Sequence, residues 1–299
     1  VLRGFMMGAA DIVPGVSGGT IALIVGIYER LVASVRAGSS ALGRLLRGDL
    51  PGFRRWFTTV EWSFIIPLAG GILTAVVVLA GALESLLHDY PEEMAGLFTG
   101  LIAGSVIVAW SLVRHWTNPR IGVLIGTAIA VFVLLGFREG TTEETVKQVL
   151  DPALWVFFVS GAIAICAMIL PGISGSFLLV ILGMYGPVLD AVNDRDLVTL
   201  TVFLVGTVTG LALFSQVLNW ALEHHHDSVM AGLIGLMAGS LRVLWPWPDG
   251  LDSTALAVPG DDVVIATMLA VLAFVAVLIL GRLGRRSSRS PRAEVRAVE

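Results

Sequence analysis

Apolar residues run through this chain in blocks long enough to cross a bilayer, and the polar residues between them fall in short clusters. A spanning helix needs about 20 mostly apolar residues. Blocks at 63–87, 91–113, 120–137, 199–222, 229–247 and 261–281 meet that length, and each predicts one transmembrane helix. Two further apolar blocks, 4–35 and 153–192, are interrupted. The first contains "DIVPGVSGGT" and the second "ILPGISGSF", so both carry a Pro-Gly-x-Ser-Gly core. Pro14 and Pro171 each remove a backbone donor and clash with the preceding turn. Gly15 and Gly172 permit backbone angles that a helix does not use. Each block therefore predicts a hairpin of two helical arms joined by a non-helical turn. Such a turn cannot face lipid, because its N–H and C=O groups would lack partners. It must be buried in protein or line a wet cavity.

Composition agrees with this pattern. Hydrophobic residues make up 56% of the 299 positions and charged residues only 14%, against roughly 25% charged in a soluble domain. The expected fold is an all-α polytopic membrane protein. The single cysteine, Cys166, excludes an intrachain disulfide. Arginines decide the orientation. Segment 36–62 carries Arg36, Arg44, Arg47, Arg54 and Arg55, Arg114 and Arg120 flank "HWTNP", and the tail 282–299 carries six more arginines. The positive-inside rule places these three in the cytoplasm. The acidic segments "HDYPEE", "REGTTEETVKQVLDP", "NDRD" and "PDGLDSTALAVPGDD" then fall outside. With each interrupted block entering and leaving on one side, every basic segment lands inside.

The two halves also resemble each other. Setting Pro14 on Pro171 pairs Ser17 with Ser174, Gly18 with Gly175, Gly26 with Gly183 and Tyr28 with Tyr185. "MAGLFTGLIAGS" from Met94 recurs as "MAGLIGLMAGS" from Met230, and "PLAGG" aligns with "FLVGT", which puts Gly70 on Gly206. The expected organisation is a first repeat at 1–138 (hairpin 4–35, Arg-rich loop 36–62, three spans), an external linker at 139–152, a second, inverted repeat at 153–281 (hairpin 153–192, three spans) and a disordered basic tail at 282–299. Inverted repeats with broken helices are a recurrent transporter plan, with the substrate at the repeat interface.

The broken hairpins supply the candidate chemistry. A helix beginning just after each turn, near Gly19 and Ser176, presents free N–H donors and a partial positive charge that attract anions. Ser17, Gly18, Gly19 and Thr20 in one half, and Ser174, Gly175 and Ser176 in the other, are the candidate phosphate-binding residues. The structural alternative is that the serines only cap a helix. Asp11 has no other charge near it in "MMGAADIVPG". Ionisable residues at membrane depth are expensive and mark function, so Asp11 is the candidate coupling residue. The alternative is a turn residue bonding nearby N–H groups. Arg3, Glu29 and Arg30 bound the first hairpin and would steer an anionic headgroup, or snorkel. Arg242, beside Trp245 and Trp247, would clamp a phosphate or snorkel. Glu84 and Asp190 are weaker candidates of the same kind.

Enzyme readings rank lower. "GVSGG" matches the G-x-S-x-G elbow, but a serine nucleophile needs a base within reach, and all five histidines fall at span edges. "EHHHD" cannot aim three consecutive histidines one way on a helix. There is no H-E-x-x-H, Walker A or Rossmann motif. No cofactor, metal or nucleic-acid partner is expected, and transport would be driven by gradients.

The stretch "RGFMMGAADIVPGVSGGTIALIVGIYERLV" closely resembles the opening signature of a bacterial polytopic membrane family, the undecaprenyl phosphate translocases of the PopT type. The likeness extends to "LPGISGSFLLVILGMYGPVL" and the repeated "MAGL". The resemblance implies a flippase of the bacterial cytoplasmic membrane, with a cytoplasmic C-terminus. It would return undecaprenyl phosphate from the outer to the cytoplasmic leaflet for peptidoglycan and other cell-wall precursors. Asp11, Ser17, Gly18, Gly19, Thr20, Pro171, Gly172, Ser174 and Gly175 match its motif positions. Coupling to a proton or cation would run through Asp11. The competing expectations are a secondary carrier of a small soluble anion and an intramembrane serine hydrolase using Ser17.

Overall fold

The computed structural model describes residues 1–12, 17–136, 149, 151–248, 250, 256–259 and 263–289. Among them every regular element is a helix. The first interrupted block forms α1 (Leu2–Asp11), α2 (Gly18–Ile24) and α3 (Tyr28–Leu46), and α4 (Leu50–Thr59), α5 (Trp62–Asp89), α6 (Pro91–Trp110) and α7 (Asn118–Gly136) follow. The second block forms α8 (Leu154–Ile169), α9 (Gly175–Ile181) and α10 (Tyr185–Asn193), followed by α11 (Leu197–Ser240) and α12 (Val263–Arg289). Helices α5, α6, α7, α11 and α12 are long and apolar enough to cross a membrane.

Helix α11 has 44 residues, which at 1.5 Å per residue is about 66 Å, twice the roughly 30 Å hydrocarbon core. It bends at His225, whose φ of −132° and ψ of 37° leave the helical region. The bend separates two arms where two spans were expected. The second arm stops at Ser240, so the expected span 229–247 is shorter and Arg242 lies in the turn beyond it.

Three expectations change. The interrupted blocks are not two-armed. Each continues past its seven-residue helix through a second break, at Gly26 (φ +69°) and Gly183 (φ +65°), into a third helix. Only glycine enters that left-handed region without strain. Segment 36–62, expected as a loop between spans, is largely helical. Helix α3 runs on to Leu46 and α4 fills most of the remainder, started by Asp49, whose carboxylate accepts the Gly52 N–H at 2.8 Å. That bond and Arg44 hold the Asp49 carboxyl below the usual carboxylate range. The basic tail is helical as far as Arg289. Pro14, Gly15 and most of the linker 139–152 lie outside the described residues, as do residues 290–299.

The helices approach each other along glycine stripes. Gly4 and Gly8 of α1 face the Leu68 and Ile72 backbone of α5, while Gly206 and Gly210 of α11 face Phe158 and Ala162 of α8. Gly96 and Gly100 of α6 face the Ala266 and Ala270 carbonyls of α12, while Gly235 and Gly239 of α11 face Leu124 and Ala128 of α7. In lipid there is no hydrophobic drive between helices, so association rests on such close small-residue packing. The partner of Gly206 in this role is Gly71, which abuts Val1 and Phe5, whereas Gly70 faces open space. At the centre lies α2, buried at every position.

A methyl group at Gly100 would run into the Ala270 carbonyl, whereas one at Gly126 meets nothing. Gly100→Ala is expected to lower stability by about 1–3 kcal/mol. Gly126→Ala should be neutral or gain up to about 1 kcal/mol of helix propensity. Thermal unfolding of the purified protein in detergent compares them, and equal losses at both sites would count against the glycine seam.

Candidate functional site

Two broken turns meet in the middle of the molecule. Helix α8 ends at Ile169 and leaves carbonyls without intrahelical partners. The first turn supplies donors for them. Ser17 Oγ donates to the Met168 carbonyl (3.2 Å) and Tyr28 OH to the Ile169 carbonyl (3.3 Å). In return the Gly172 N–H donates to Thr20 Oγ1 (2.9 Å). Gly172 has φ +88° and packs against the Met237 backbone of α11, where a β-carbon would not fit. Gly19 faces the Ile169 carbonyl just as closely.

The donors at the start of α2 are already engaged. The Gly18 N–H donates to Asp11 Oδ1 at 2.6 Å, and the Gly19 N–H to Ser17 Oγ at 3.1 Å. The Thr20 N–H donates to the Ser17 carbonyl at 2.9 Å. Ser17 and Thr20 have no solvent-exposed surface. Asp11 therefore caps the turn, and the first-turn candidates bind each other and the second turn.

The second turn is built differently. Among the described residues no side chain caps α9. Ser174 is buried, its hydroxyl 2.9 Å from that of exposed Ser176, and Gly175 abuts the Ala164 carbonyl. Ser174 and Gly172 line an apolar cavity of about 170 Å³ with Leu134 and Leu135 of α7 and Leu178 of α9. Arg242 makes its contacts with α7. Its guanidinium lies 4.7 Å from the Phe132 ring centre and against Gly136, and its buried Nε has no hydrogen-bond partner among the described residues. It does not join the paired turns.

A larger cavity, about 710 Å³, opens at the arginine-rich end. Its inner wall is the C-terminal end of α2 and the break after it (Leu23–Gly26), together with Tyr28, which reaches the second turn. Arg3, Glu29 and Arg30 all line it. Sequence patterns missed two more of its lining residues, Arg114 and His226. Arg114 was visible only as a topology signal, and His226 only as one of three consecutive histidines. The bend in α11 separates those histidines. His226 places one ring nitrogen 2.8 Å from Glu29 and the other 3.1 Å from Asp227. Asp227 also accepts the backbone N–H groups of Arg114 (3.1 Å) and His115 (3.2 Å) and pairs with Arg120 at 2.9 Å. This network ties α3, α11 and the α6–α7 connection together at the cavity mouth.

Fold and site together define an all-helical polytopic membrane protein with two mutually bonded helix breaks and a basic cavity beside them. The chain belongs to the VCA0040-like family, described as undecaprenyl phosphate translocase-like, whose model matches residues 7–258. It is 42% identical over 253 residues to a polyprenyl-phosphate transporter of Vibrio cholerae, covering 84% of this chain and 78% of that one. It is 31% identical over 296 residues to a polyprenyl-phosphate transporter of Staphylococcus aureus, covering 95% of each. No solved structure matches it.

Thr20→Val would strip the hydroxyl from a buried N–H acceptor and leave the Gly172 amide unsatisfied. The expected loss is about 1–3 kcal/mol, with Thr20→Ser close to wild type. Equal stability of the two variants in thermal unfolding would mean that this bond does not hold the turns together.

Proposed function

We propose that this chain carries a polyprenyl phosphate across the bilayer, returning it from the outer to the cytoplasmic leaflet. The observation that carries the reading is the basic cavity. It gathers Arg3, Arg30 and Arg114 beside the buried helix whose other end holds the paired turns. An amphiphile with a phosphate head needs such a charged recess and apolar walls for its tail. Family membership and the names of the two relatives support the same substrate class. On this reading the arginine-rich end is cytoplasmic, the membrane is the bacterial cytoplasmic membrane, and the lipid carrier re-enters cell-wall synthesis.

Asp11 would provide the coupling. Its carboxylate occupies the Gly18 N–H, the place where a phosphate oxygen would sit at the start of α2. Two anions about 4 Å apart repel by about 4 kcal/mol at an effective dielectric constant of 20. A phosphate therefore takes that place only when Asp11 has gained a proton or has swung away. The two halves would act as inverted repeats that expose the site to each leaflet in turn. Supporting this are the identical order of elements around the two turns and the matched glycine seams.

The test is reconstitution into liposomes containing undecaprenyl phosphate, with leaflet exchange followed by a membrane-impermeant phosphatase. Wild type is expected to exceed empty liposomes by tenfold or more, equivalent to about 1.4 kcal/mol of barrier. Asp11→Asn, which keeps an acceptor for Gly18 but cannot cycle a charge, should lose that gain. Protein-containing liposomes no faster than empty ones, with or without a proton gradient, would sink the reading.

A further inference from the structure

Arg3 and Arg30 line two spaces at once. One is the basic cavity, and the other is a groove of about 380 Å³ whose remaining walls include Leu2, Phe64, Pro67 and Leu68. The groove runs along α1 and the start of α5, a helix whose apolar side chains Ile66 and Leu73 are largely exposed. The two arginines thus stand between the interior and the surface that faces lipid. Helices α3 and α5 have little backbone contact. They are joined here by side chains. Arg30 Nε and Nη2 both donate to the same Glu61 oxygen, Nε at 2.8 Å, and the Arg30 guanidinium lies 4.2 Å from the Phe64 ring centre.

We propose that the Arg30–Glu61 pair is the latch of a lateral portal between α3 and α5. The phosphate head of a lipid passes through it between the basic cavity and the adjoining leaflet, which rests on the transport reading above. The pair suits a latch. Both partners are about half exposed, and exposed pairs contribute only about 0–1 kcal/mol, so opening is cheap. Only one Glu61 oxygen is used, short of the two-pronged geometry that makes carboxylate–guanidinium pairs strong. A phosphate monoester carries close to two charges and three terminal oxygens, enough to engage Arg30 and Arg3 together. It therefore outcompetes Glu61 for Arg30. The isoprenoid tail stays in the groove against Phe64, Pro67 and Leu68 and never enters the charged cavity.

Glu61 is then a competitor of the substrate, and the two partners of one ion pair have opposite effects. In the liposome assay with undecaprenyl phosphate, Glu61→Gln is expected to exchange about two- to fivefold faster than wild type, the range set by releasing an exposed pair. Arg30→Gln should be at least tenfold slower, and the double variant should stay slow. A purely structural pair would move both single variants in the same direction, and that result would overturn the portal while leaving transport by the wild type intact. Wild type without exchange activity would overturn the transport reading and the portal with it. Thermal unfolding of each variant separates a rate change from loss of folded protein. Uptake of inorganic phosphate by the same liposomes, lost in Arg30→Gln, would assign the cavity to a soluble anion and likewise overturn the portal.

Discussion

A helix broken inside a membrane leaves backbone groups that lipid cannot satisfy, each at a cost of several kcal/mol. Two of this protein's helix breaks, the turn before α2 and the turn after α8, are joined in one arrangement. The carbonyls at the end of α8 accept from Ser17 and Tyr28, and the Gly172 amide donates to Thr20. Each turn is therefore a condition for the other. The requirement fixes α2 at the centre, where every one of its residues is buried, and it fixes how closely the surrounding helices must approach. The glycine stripes along α1, α6 and α11 follow from that, because a side chain at Gly8, Gly100 or Gly206 would hold its helix away from its partner.

The spans were legible because hydropathy reports directly on the solvent each residue meets. Blocks 63–87, 91–113 and 120–137 reappear as α5, α6 and α7 with ends shifted by a few residues. The turns were legible because Pro171 and Gly172 cannot continue a helix. What the turns bind was not. The Ser17 to Met168 bond spans 151 positions, and a local motif carries no information about a partner so far away. The donors of Gly18 and Gly19 have local partners instead, Asp11 and Ser17, as in the capping alternatives that the sequence left open beside anion binding. The helices within the Arg-rich segment were not legible because its charges obscured an amphipathic period that α3 and α4 follow. The one-residue slip between Gly70 and Gly71 has a similar origin, since glycine pairs look alike in sequence and only one of them faces a neighbour.

The two turns are not equivalent. The first is closed by a carboxylate, while no side chain among the described residues caps α9. A symmetric pair of anion sites would leave nothing to couple, since substrate would enter and leave either turn alike. A resident anion in one of them changes that. On the proposed transport reading, a phosphate at the first turn would compete with Asp11 for the Gly18 amide, and its occupancy would depend on the charge of Asp11. The second turn instead borders the apolar cavity at Leu134 and Leu178.

The distribution of charge and grease favours an amphiphilic cargo over a soluble anion. A soluble anion needs a polar path that is sealed from lipid along its whole length. Here the arginines that line the basic cavity also line a groove walled by Phe64, Pro67 and Leu68. A sealed path would have no use for cations in that position, where Arg30 is half exposed and held by a weak pair with Glu61. A lipid phosphate would use both sides of the same residues at once, its head on the guanidinium groups and its tail along the apolar wall. The close network of Glu29, His226, Asp227 and Arg120 lies at the mouth of the same cavity. It joins α3, which carries Arg30, to the bend of α11, so a shift of α3 that frees Arg30 must also disturb the mouth.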